Sequence, residues 1–408
     1  MSLRRILIAD HVSKVLGGAE INLVELLNHP NVSTTWDVTV ACAPKSPLDR
    51  ALADSGIRRV PYGFAPALNE LRIVGRRWAP LAKIRGFLEL RNATRRLDQL
   101  LHQVRPDAVL TPTNKDHFAA GAAARPLKIP SIWWVNDLLI PEFFSWPIRR
   151  LFSYKARKLA THLLPVSAAG AKALVAEGIP RARITTVLNG ILLDRYARSK
   201  SSDLRQNLQI PADHPLFGVI GRITPWKGQD LFVRIAQAWC DSKQKGHFVI
   251  IGKAFNEDAP FENALRQQIT EAGLSKRVHF TSFQSNSVNA LSGLDALLHT
   301  STRPEPFGRV IIEAMATETP VIAARAGGVP SIITTDHDGL LATPGDVNDY
   351  LRLLRLLNDN PLRAASLRSA ALETVRARFS IDRVFSDFES ILAQLPRRVK
   401  VTKAERLI

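Results

Sequence analysis

Glu305 and Glu313 stand in Arg303-Pro-Glu-Pro-Phe-Gly-Arg-Val-Ile-Ile-Glu-Ala-Met-Ala with seven residues between them, and no other stretch of the chain carries as much potential chemistry. The first acid sits in a proline-bounded loop, and the second lies in an apolar run with helical spacing. Pro306 bars a helix from continuing upstream, while Gly308 lets a ligand approach the first free backbone N–H groups of the helix that follows. The pattern predicts an anion docked between two carboxylates. Were the segment all helix, eight residues at a rise of about 1.5 Å each would separate the acids by roughly 12 Å, comparable to the span from a sugar ring across a diphosphate to a ribose. Carboxylates accept hydrogen bonds from sugar hydroxyls, so the spacing suits a nucleotide-sugar. Taken singly, each would read as the solvated acid that most glutamates are.

Two further segments place polar groups after apolar runs. Gly221-Arg222-Ile-Thr-Pro-Trp-Lys227-Gly228 follows Phe217 to Ile220, and a loop there sets two cations where they can neutralise a leaving diphosphate; the plain alternative is a surface turn. Gly17-Gly18-Ala19-Glu20 follows the first apolar run and opens a helix near Ala19; tandem glycines permit positive φ and a close backbone approach to a ligand. The dinucleotide fingerprint Gly-x-Gly-x-x-Gly is absent. So are the phosphate-binding Gly-x-x-x-x-Gly-Lys-Ser/Thr, His-Glu-x-x-His and Gly-x-Ser-x-Gly patterns. Asp336-His337-Asp338 offers paired acids, but Gly339-Leu-Leu follows, so it reads as a polar turn before a short strand, and no metal is assigned.

The segment from Ser301 to Glu313, continuing through Pro320-Val-Ile-Ala to Gly327-Gly-Val-Pro330, closely resembles the donor-binding region of retaining GT-B glycosyltransferases, the large family that includes sucrose and mannosyl transferases. The resemblance covers nearly the whole chain, most strongly from Phe217 to Asp346. It implies a GT-B fold: two doubly wound, Rossmann-like α/β domains facing across a cleft. It also implies metal-independent glycosyl transfer from a nucleotide-diphosphate sugar to a glycan, lipid-linked or small-molecule acceptor, as in polysaccharide biosynthesis, with no other cofactor. On these positions Arg222 and Lys227 would grip the donor phosphates, and Glu305 would contact the sugar. Phe307, Gly308, Arg309 and Val310 would line the donor site, Glu313 would hold the ribose hydroxyls, and Gly17, Gly18, Glu20, Asn189 and Gly190 would line the cleft from the first domain.

One position departs from the family. Trp133-Trp134-Val-Asn136-Asp137 ends a first-domain strand where a His-Asp pair is usual, and Asn136 replaces the histidine. An amide can hydrogen-bond a sugar hydroxyl but cannot exchange a proton near neutral pH. His117, in Asn114-Lys-Asp-His-Phe, would stand near enough to compensate, unless it is one of the many histidines with a purely structural role. Retention by same-face substitution and retention through a covalent intermediate both stay open; a same-face route, in which a donor phosphate oxygen takes the acceptor's proton, would tolerate the change.

The elements that must position these groups are short apolar strands alternating with amphipathic stretches. The first series runs Ile6 to Ala9, Val38 to Ala41, Ala108 to Leu110, Ser131 to Val135 and Leu163 to Val166. After a polar stretch from Arg195 to Gln209 a second begins: Phe217 to Ile220, Phe248 to Ile251, Val278 to Phe280, Ala296 to Leu298 and Val321 to Ala323. Such alternation predicts parallel sheets covered by helices, with ligands at the carboxyl ends of the strands. We read residues 1–195 as an acceptor-side domain and 196–379 as the nucleotide-sugar domain. Residues 380–408 read as a helix that, by the resemblance, crosses back to the first domain, plus a basic tail.

With 408 residues, 46% hydrophobic and 23% charged, the chain has material for two packed cores. The basic residues before the first apolar run precede only four apolar positions, too few for a signal peptide. Two distant cysteines, Cys42 and Cys240, exclude a disulfide framework and fit a reducing cytoplasmic setting. The net charge of +18 is concentrated. Nine basic residues face two acids between Arg72 and Arg105, five face none between Arg149 and Lys158, and five face one from Arg397 onward. A pI near 10.4 raises nucleic-acid binding as an alternative, but no binding module is recognisable. Basic residues beside Phe144, Trp146 and Phe152 suit an anionic membrane surface better, so the expectation is a peripheral protein on the inner face. Within enzymes, a sugar-nucleotide epimerase on the same scaffold is the alternative.

Overall fold

The computed structural model describes residues 3–12, 16–64, 80–197, 202–282 and 287–396. Two compact units are present: Met1–Leu188 together with Asp382–Ile408, and Asn189–Ile381. Arg72, Arg76, Arg77, the Ser-rich residues 198–201 and the basic tail from Arg397 lie outside the described residues.

The first unit is built on a six-stranded parallel sheet in the order β3-β2-β1-β4-β5-β6. Its strands are β1 (Arg4–Asp10), β2 (Trp36–Cys42), β3 (Arg58–Pro61), β4 (Ala108–Thr111), β5 (Ser131–Val135) and β6 (His162–Pro165). Central strands are buried along nearly their whole length because helices cover both faces, which is why they read as unbroken apolar runs. β3 is different. It is an edge strand, Arg-Arg-Val-Pro, mostly exposed, and its proline is tolerated because no further strand needs its N–H. Trp133, Phe152, Phe118 and His117 form an aromatic cluster under the β5 side of the sheet. The terminal helix Ile381–Ala393 packs Phe388 edge-on against Trp134 at 4.9 Å and Phe385 against His29 at 4.4 Å. Glu389 accepts a hydrogen bond from the Trp36 indole, and Asp382 bonds His29 at 2.9 Å.

The second unit repeats the plan: β12-β11-β10-β7-β8-β9, all parallel. Here β7 is Leu216–Ile220, β8 His247–Ile251, β9 Val278–Thr281, β10 Ala296–His299, β11 Val321–Ala324 and β12 Leu340–Ala342. The short strand expected after Gly339 is β12. Phe217, Phe232, Phe248 and Trp239 interlock in the core with ring centroids 5.2–5.6 Å apart, and the Tyr350 hydroxyl donates to the His299 carbonyl at 2.7 Å. The strand order reverses between β1 and β4 in one unit and between β7 and β10 in the other. Such switch points open a crevice at the strand carboxyl ends where doubly wound folds bind ligands.

Candidate active site

In the second unit the two loops at the switch point are laced together. Gly228 has φ +71°, and a Cβ there would lie 2.0 Å from the Thr300 carbonyl oxygen. Thr300 Oγ1 donates to the Lys227 carbonyl at 3.1 Å, and the Thr302 N–H donates to the Trp226 carbonyl at 2.9 Å. The loop after β7 is thereby pressed against the loop after β10. Gly327, φ +61°, and Gly328 bear on Pro304–Phe307 so closely that a Cβ on either would sit 2.2–2.3 Å from a backbone oxygen. The Gly328 N–H donates to the Glu305 carbonyl at 2.7 Å, fixing the acid's backbone.

These contacts bring Lys227 and Glu305 together. Lys227 Nζ donates to both carboxylate oxygens of Glu305 at 2.8 Å. Ser301 Oγ donates to Oε2 at 3.0 Å, and His299 Nε2 lies 3.3 Å from the same oxygen. Burial by itself would raise the Glu305 carboxyl, but the Lys227 ammonium and the His299 ring outweigh it and hold the group well below the usual glutamate range. Glu305 is thus a buried, ionised carboxylate. The expected division of labour, lysine on phosphate and glutamate on sugar, meets a direct ion pair between them. His299 was not singled out from the sequence, and Ser301 only as the first residue of the segment with the family resemblance. Their signal was the polar His-Thr-Ser run that ends the buried strand Ala-Leu-Leu.

Gly308, φ +105°, caps the helix Arg309–Ala316 and turns the chain sharply out of the Glu305 loop. The first-turn amides of that helix have no acceptor within it, and the helix dipole favours an anion there. Glu313, four residues on from Arg309, is not a free acceptor. Its Oε1 pairs with Arg309 Nε at 2.8 Å, and its Oε2 takes a hydrogen bond from Ser287 Oγ at 3.0 Å. Arg309 also donates to the Gly190 carbonyl at 3.1 Å and the Tyr196 hydroxyl at 2.9 Å. Asn189 and Gly190 therefore sit in the second unit, with Gly190 bonded to the helix Arg309–Ala316, not in the first as the sequence suggested. The Phe307 side chain is buried against Phe379, ring centroids 6.0 Å apart, so its contribution is packing. Val310 is half-buried on the same helix. Arg222, at the end of β7, has its Nε 3.8 Å from Asp258 Oδ2 and its guanidinium 5.2 Å from the Phe255 ring centroid, apart from the Lys227–Glu305 pair.

In the first unit the glycine pair behaves differently from expectation. Gly17 has φ −86° and caps the helix Gly18–Leu27, with its N–H bonded to Glu20 Oε2 at 2.7 Å. A Cβ there would stand 2.8 Å from that oxygen, so the glycine is required by the close approach of a carboxylate and not by positive φ. Glu20 is buried, and its carboxyl is raised chiefly by burial. Asn136 Nδ2 donates at 3.1 Å to the carbonyls of both Pro112 and Trp134, tying the ends of β4 and β5 with its two N–H groups. Asp137 Oδ2 accepts from Asn114 Nδ2 at 2.7 Å.

His117 does not reach the strand ends. Fully buried, it stacks on Trp133 at 4.9 Å with the rings 3° from parallel, and its Nδ1 bonds Thr111 Oγ1 at 2.7 Å. Burial pushes its pKa down to about 3, so the imidazole is neutral, and proton exchange with a substrate is corrected to a role in the core. The histidine that does stand at a strand end is His11, bonded to Asp116 at 2.8 Å. It was legible only as the Asp-His dipeptide closing the first apolar run.

Both doubly wound sheets are those of a GT-B glycosyltransferase. HepE of Anabaena, solved in complex with UDP and glucose, superimposes with a TM-score of 0.82 at 26% identity over 96% of this chain and 99% of its own. Sucrose-phosphate synthase from Thermosynechococcus elongatus shares the fold with a TM-score of 0.76 at 20% identity, over 96% and 99% of the two chains. Residues 16–195 match the model of Glycosyltransferase Family 4, and residues 200–374 match that of Glycosyl transferases group 1. The chain belongs to this family. Lipopolysaccharide core biosynthesis glycosyltransferase LpsD of Rhizobium meliloti is 32% identical over 184 residues, 45% of this chain and 51% of that protein. The chain spans about half the length of the curated relatives it matches.

Proposed function

We propose that the chain is a retaining glycosyltransferase that moves a sugar from a nucleotide-diphosphate donor to a glycan or lipid-linked acceptor. The observation that carries this reading is the buried Lys227–Glu305 pair beside Gly308 and the free end of the helix Arg309–Ala316, all at the switch point of the second sheet. A diphosphate entering there would meet the helix amides and the Lys227 ammonium. It would draw the lysine partly off Glu305 and leave that carboxylate facing the sugar, where negative charge stabilises an oxocarbenium-like state. Arg222 adds a second cation from the same loop. In this reading the protein's own cations meet the charge that grows on the diphosphate, so no metal is required for that step. Glu313, fixed by Arg309, retains lone pairs for ribose hydroxyls. The first unit, Met1–Leu188 with Asp382–Ile408, would receive the acceptor.

HepE was solved with UDP, so uridine diphosphate is the first ligand to try. Screening uridine, guanosine and adenosine diphosphates by thermal unfolding tests the reading directly, since a ligand at 100 times its dissociation constant adds about 2.7 kcal/mol. No shift with any of the three would sink it. An epimerase would instead convert donor in the absence of acceptor.

A peripheral membrane position is supported by the helix Trp146–Leu159, which exposes Trp146, Leu151 and Tyr154 among cations. Arg150 stands over the Trp146 ring at 5.5 Å and Lys158 over Tyr154 at 4.4 Å, while Arg149 is paired with Glu177. Aromatic rings flanked by cations suit anionic headgroups. Among the described residues no helix is long and apolar enough to cross a membrane.

A further inference from the structure

The carboxylate of Glu305 is held unequally at its two oxygens. Oε2 accepts from Lys227 Nζ at 2.8 Å, from Ser301 Oγ at 3.0 Å and from His299 Nε2 at 3.3 Å, whereas among the described residues Oε1 has Lys227 Nζ alone, at 2.8 Å. The donors also differ in freedom. His299 is the last residue of β10, Ser301 stands two positions on, and the two residues are 4% and 2% exposed. The Tyr350 hydroxyl, from the helix Val347–Asp359, fixes the His299 carbonyl at 2.7 Å, and Ser301 Oγ lies 3.3 Å from His299 Nε2. Lys227 carries its ammonium on a flexible four-carbon stem, and its side chain keeps 20% exposure. One partner of the carboxylate is free to leave, and the other two are built in.

The hydrogens follow from the chemistry of the acceptor. An ionised carboxylate has none to give, so Nε2 must carry the hydrogen in the His299–Glu305 contact, and the serine hydroxyl turns its own toward Oε2. His299 Nδ1 is buried and has no hydrogen-bond partner, a cost that a residue placed for packing alone would avoid. A further apolar residue would simply have extended the buried run Ala-Leu-Leu. The ring is therefore spent on Glu305.

We infer that His299, together with Ser301, anchors Glu305 through Oε2 so that Oε1 alone is turned to the sugar when the donor diphosphate draws Lys227 away. This rests on the glycosyltransferase reading above and gives the two oxygens of one carboxylate separate tasks. His299, Ser301, Glu305 and Lys227 all belong to the second unit. In the step, the bond from the anomeric carbon to the donor phosphate oxygen breaks, and its electron pair leaves on the nucleoside diphosphate beside Lys227. The positive charge that grows on the sugar faces Oε1. The incoming oxygen supplies the electron pair of the new bond and its proton passes to the released phosphate oxygen, so the new bond forms on the face that the diphosphate left. His299 touches no reacting atom and is a positioning residue.

Without His299, departure of Lys227 would leave a buried carboxylate with one serine hydroxyl for support. Such a group takes up a proton or swings toward another donor. The charged groups that face Glu305 are Lys227 from the loop after β7 and His299 from β10, while the loop after β11 presents glycine backbone, with the Gly328 N–H on the Glu305 carbonyl at 2.7 Å. Loss of the ring therefore moves the carboxyl up toward the ordinary glutamate range. The ionised form is the working one, so activity would be lost at a higher pH on acidification.

The test uses the full chain with UDP-glucose, GDP-mannose and ADP-glucose, followed both as hydrolysis and as transfer to a panel of octyl glycosides. His299→Leu, which keeps bulk and removes the donor, is expected to lower kcat roughly 10- to 10²-fold, the value of one hydrogen bond to a charged group. The loss should fall on kcat more than on KM, and the acidic limb of the pH–rate profile should move to higher pH. His299→Gln, whose amide N–H stands in for Nε2, should recover most of the rate and return the limb. Ser301→Ala should lower kcat several-fold in the same direction. Melting temperatures report the fold, and if the leucine variant does not fold, the serine variant decides in its place. Wild-type kcat in the deciding variant, an unmoved acidic limb, or a folded leucine variant that glutamine does not improve on would each overturn the anchor. The glycosyltransferase reading survives those results, because the wild-type chain still transfers sugar. A wild-type chain that moves no sugar from any of the three donors overturns that reading and the anchor with it.

Discussion

Replacing Lys227 by Met strands a carboxylate. In the native chain Glu305 is buried and ionised, with Lys227 on both oxygens at 2.8 Å, while Ser301 and His299 supply weaker support at 3.0 and 3.3 Å. Removing one partner from a buried pair costs about 3–5 kcal/mol. The Lys227 side chain keeps 20% exposure and two donors stay on Glu305, so a loss of about 2 kcal/mol is expected here. For a unit of this size that corresponds to a fall in melting temperature of roughly 4–8 °C. The sign of the pH dependence follows from the lowered carboxyl. The stability that Glu305 contributes is complete above the ordinary glutamate range and is lost as pH falls toward its depressed value. The deficit of the Met variant should therefore be full at neutral pH and shrink in acid. Thermal unfolding from neutral pH down to the acid limit of the native fold reads both features. The double variant Lys227→Met with Glu305→Met, which leaves no unpaired charge, should regain most of the loss while binding no nucleotide-sugar productively. A single variant that melts with wild type at neutral pH, or whose deficit is the same in acid, would refute the claim that this pair is buried and charge-coupled.

Glu313→Ala should weaken nucleotide binding by about 1.5–3 kcal/mol through loss of a charged acceptor; unchanged affinity in calorimetry would remove the ribose assignment. The same variant should lower the melting temperature, because the partly buried Arg309 loses its carboxylate partner. His117→Ala should cost about 3 kcal/mol or more of stability as a cavity opens against Trp133 and Phe152, with the pH–rate profile unmoved; a lost limb in that profile would return His117 to the chemistry. Vesicles of anionic phospholipid should co-sediment the protein and neutral ones should not, with each cation near the surface worth about 1 kcal/mol. Trp146→Ala should weaken that association, and equal sedimentation with both vesicle types would end the membrane reading.

Much of the fold is legible in the amino-acid sequence because its signals are local. Runs such as Phe217 to Ile220 and Phe248 to Ile251 read as buried parallel strands, and each extends by only one residue in the structure, since burial on both faces demands apolar residues throughout. Pro306 and Gly308 marked the helix start at Arg309 for the same local reason: one bars a helix, the other takes a left-handed turn. β3 was missed because an exposed edge strand carries no such demand, and Arg-Arg-Val-Pro looks like loop.

What local reading could not supply is which polar groups meet. Lys227 and Glu305 were both named from the sequence, but their pairing depends on Gly228, Gly327 and Gly328 letting three loops close to van der Waals contact. His117 and His11 show the same limit in reverse. Each is a histidine near the end of an apolar run, yet one ring turns into the aromatic core and the other stays at the strand end on Asp116, 105 residues away along the chain. Sequence by itself determined the buried strands and the helix start at Arg309, because backbone preference and burial act over a few residues. The ionisation of Glu305, its pairing with Lys227 and the pairing of His11 with Asp116 were decided only by tertiary structure, since desolvation and charge pairing act through space between residues that the chain order keeps far apart.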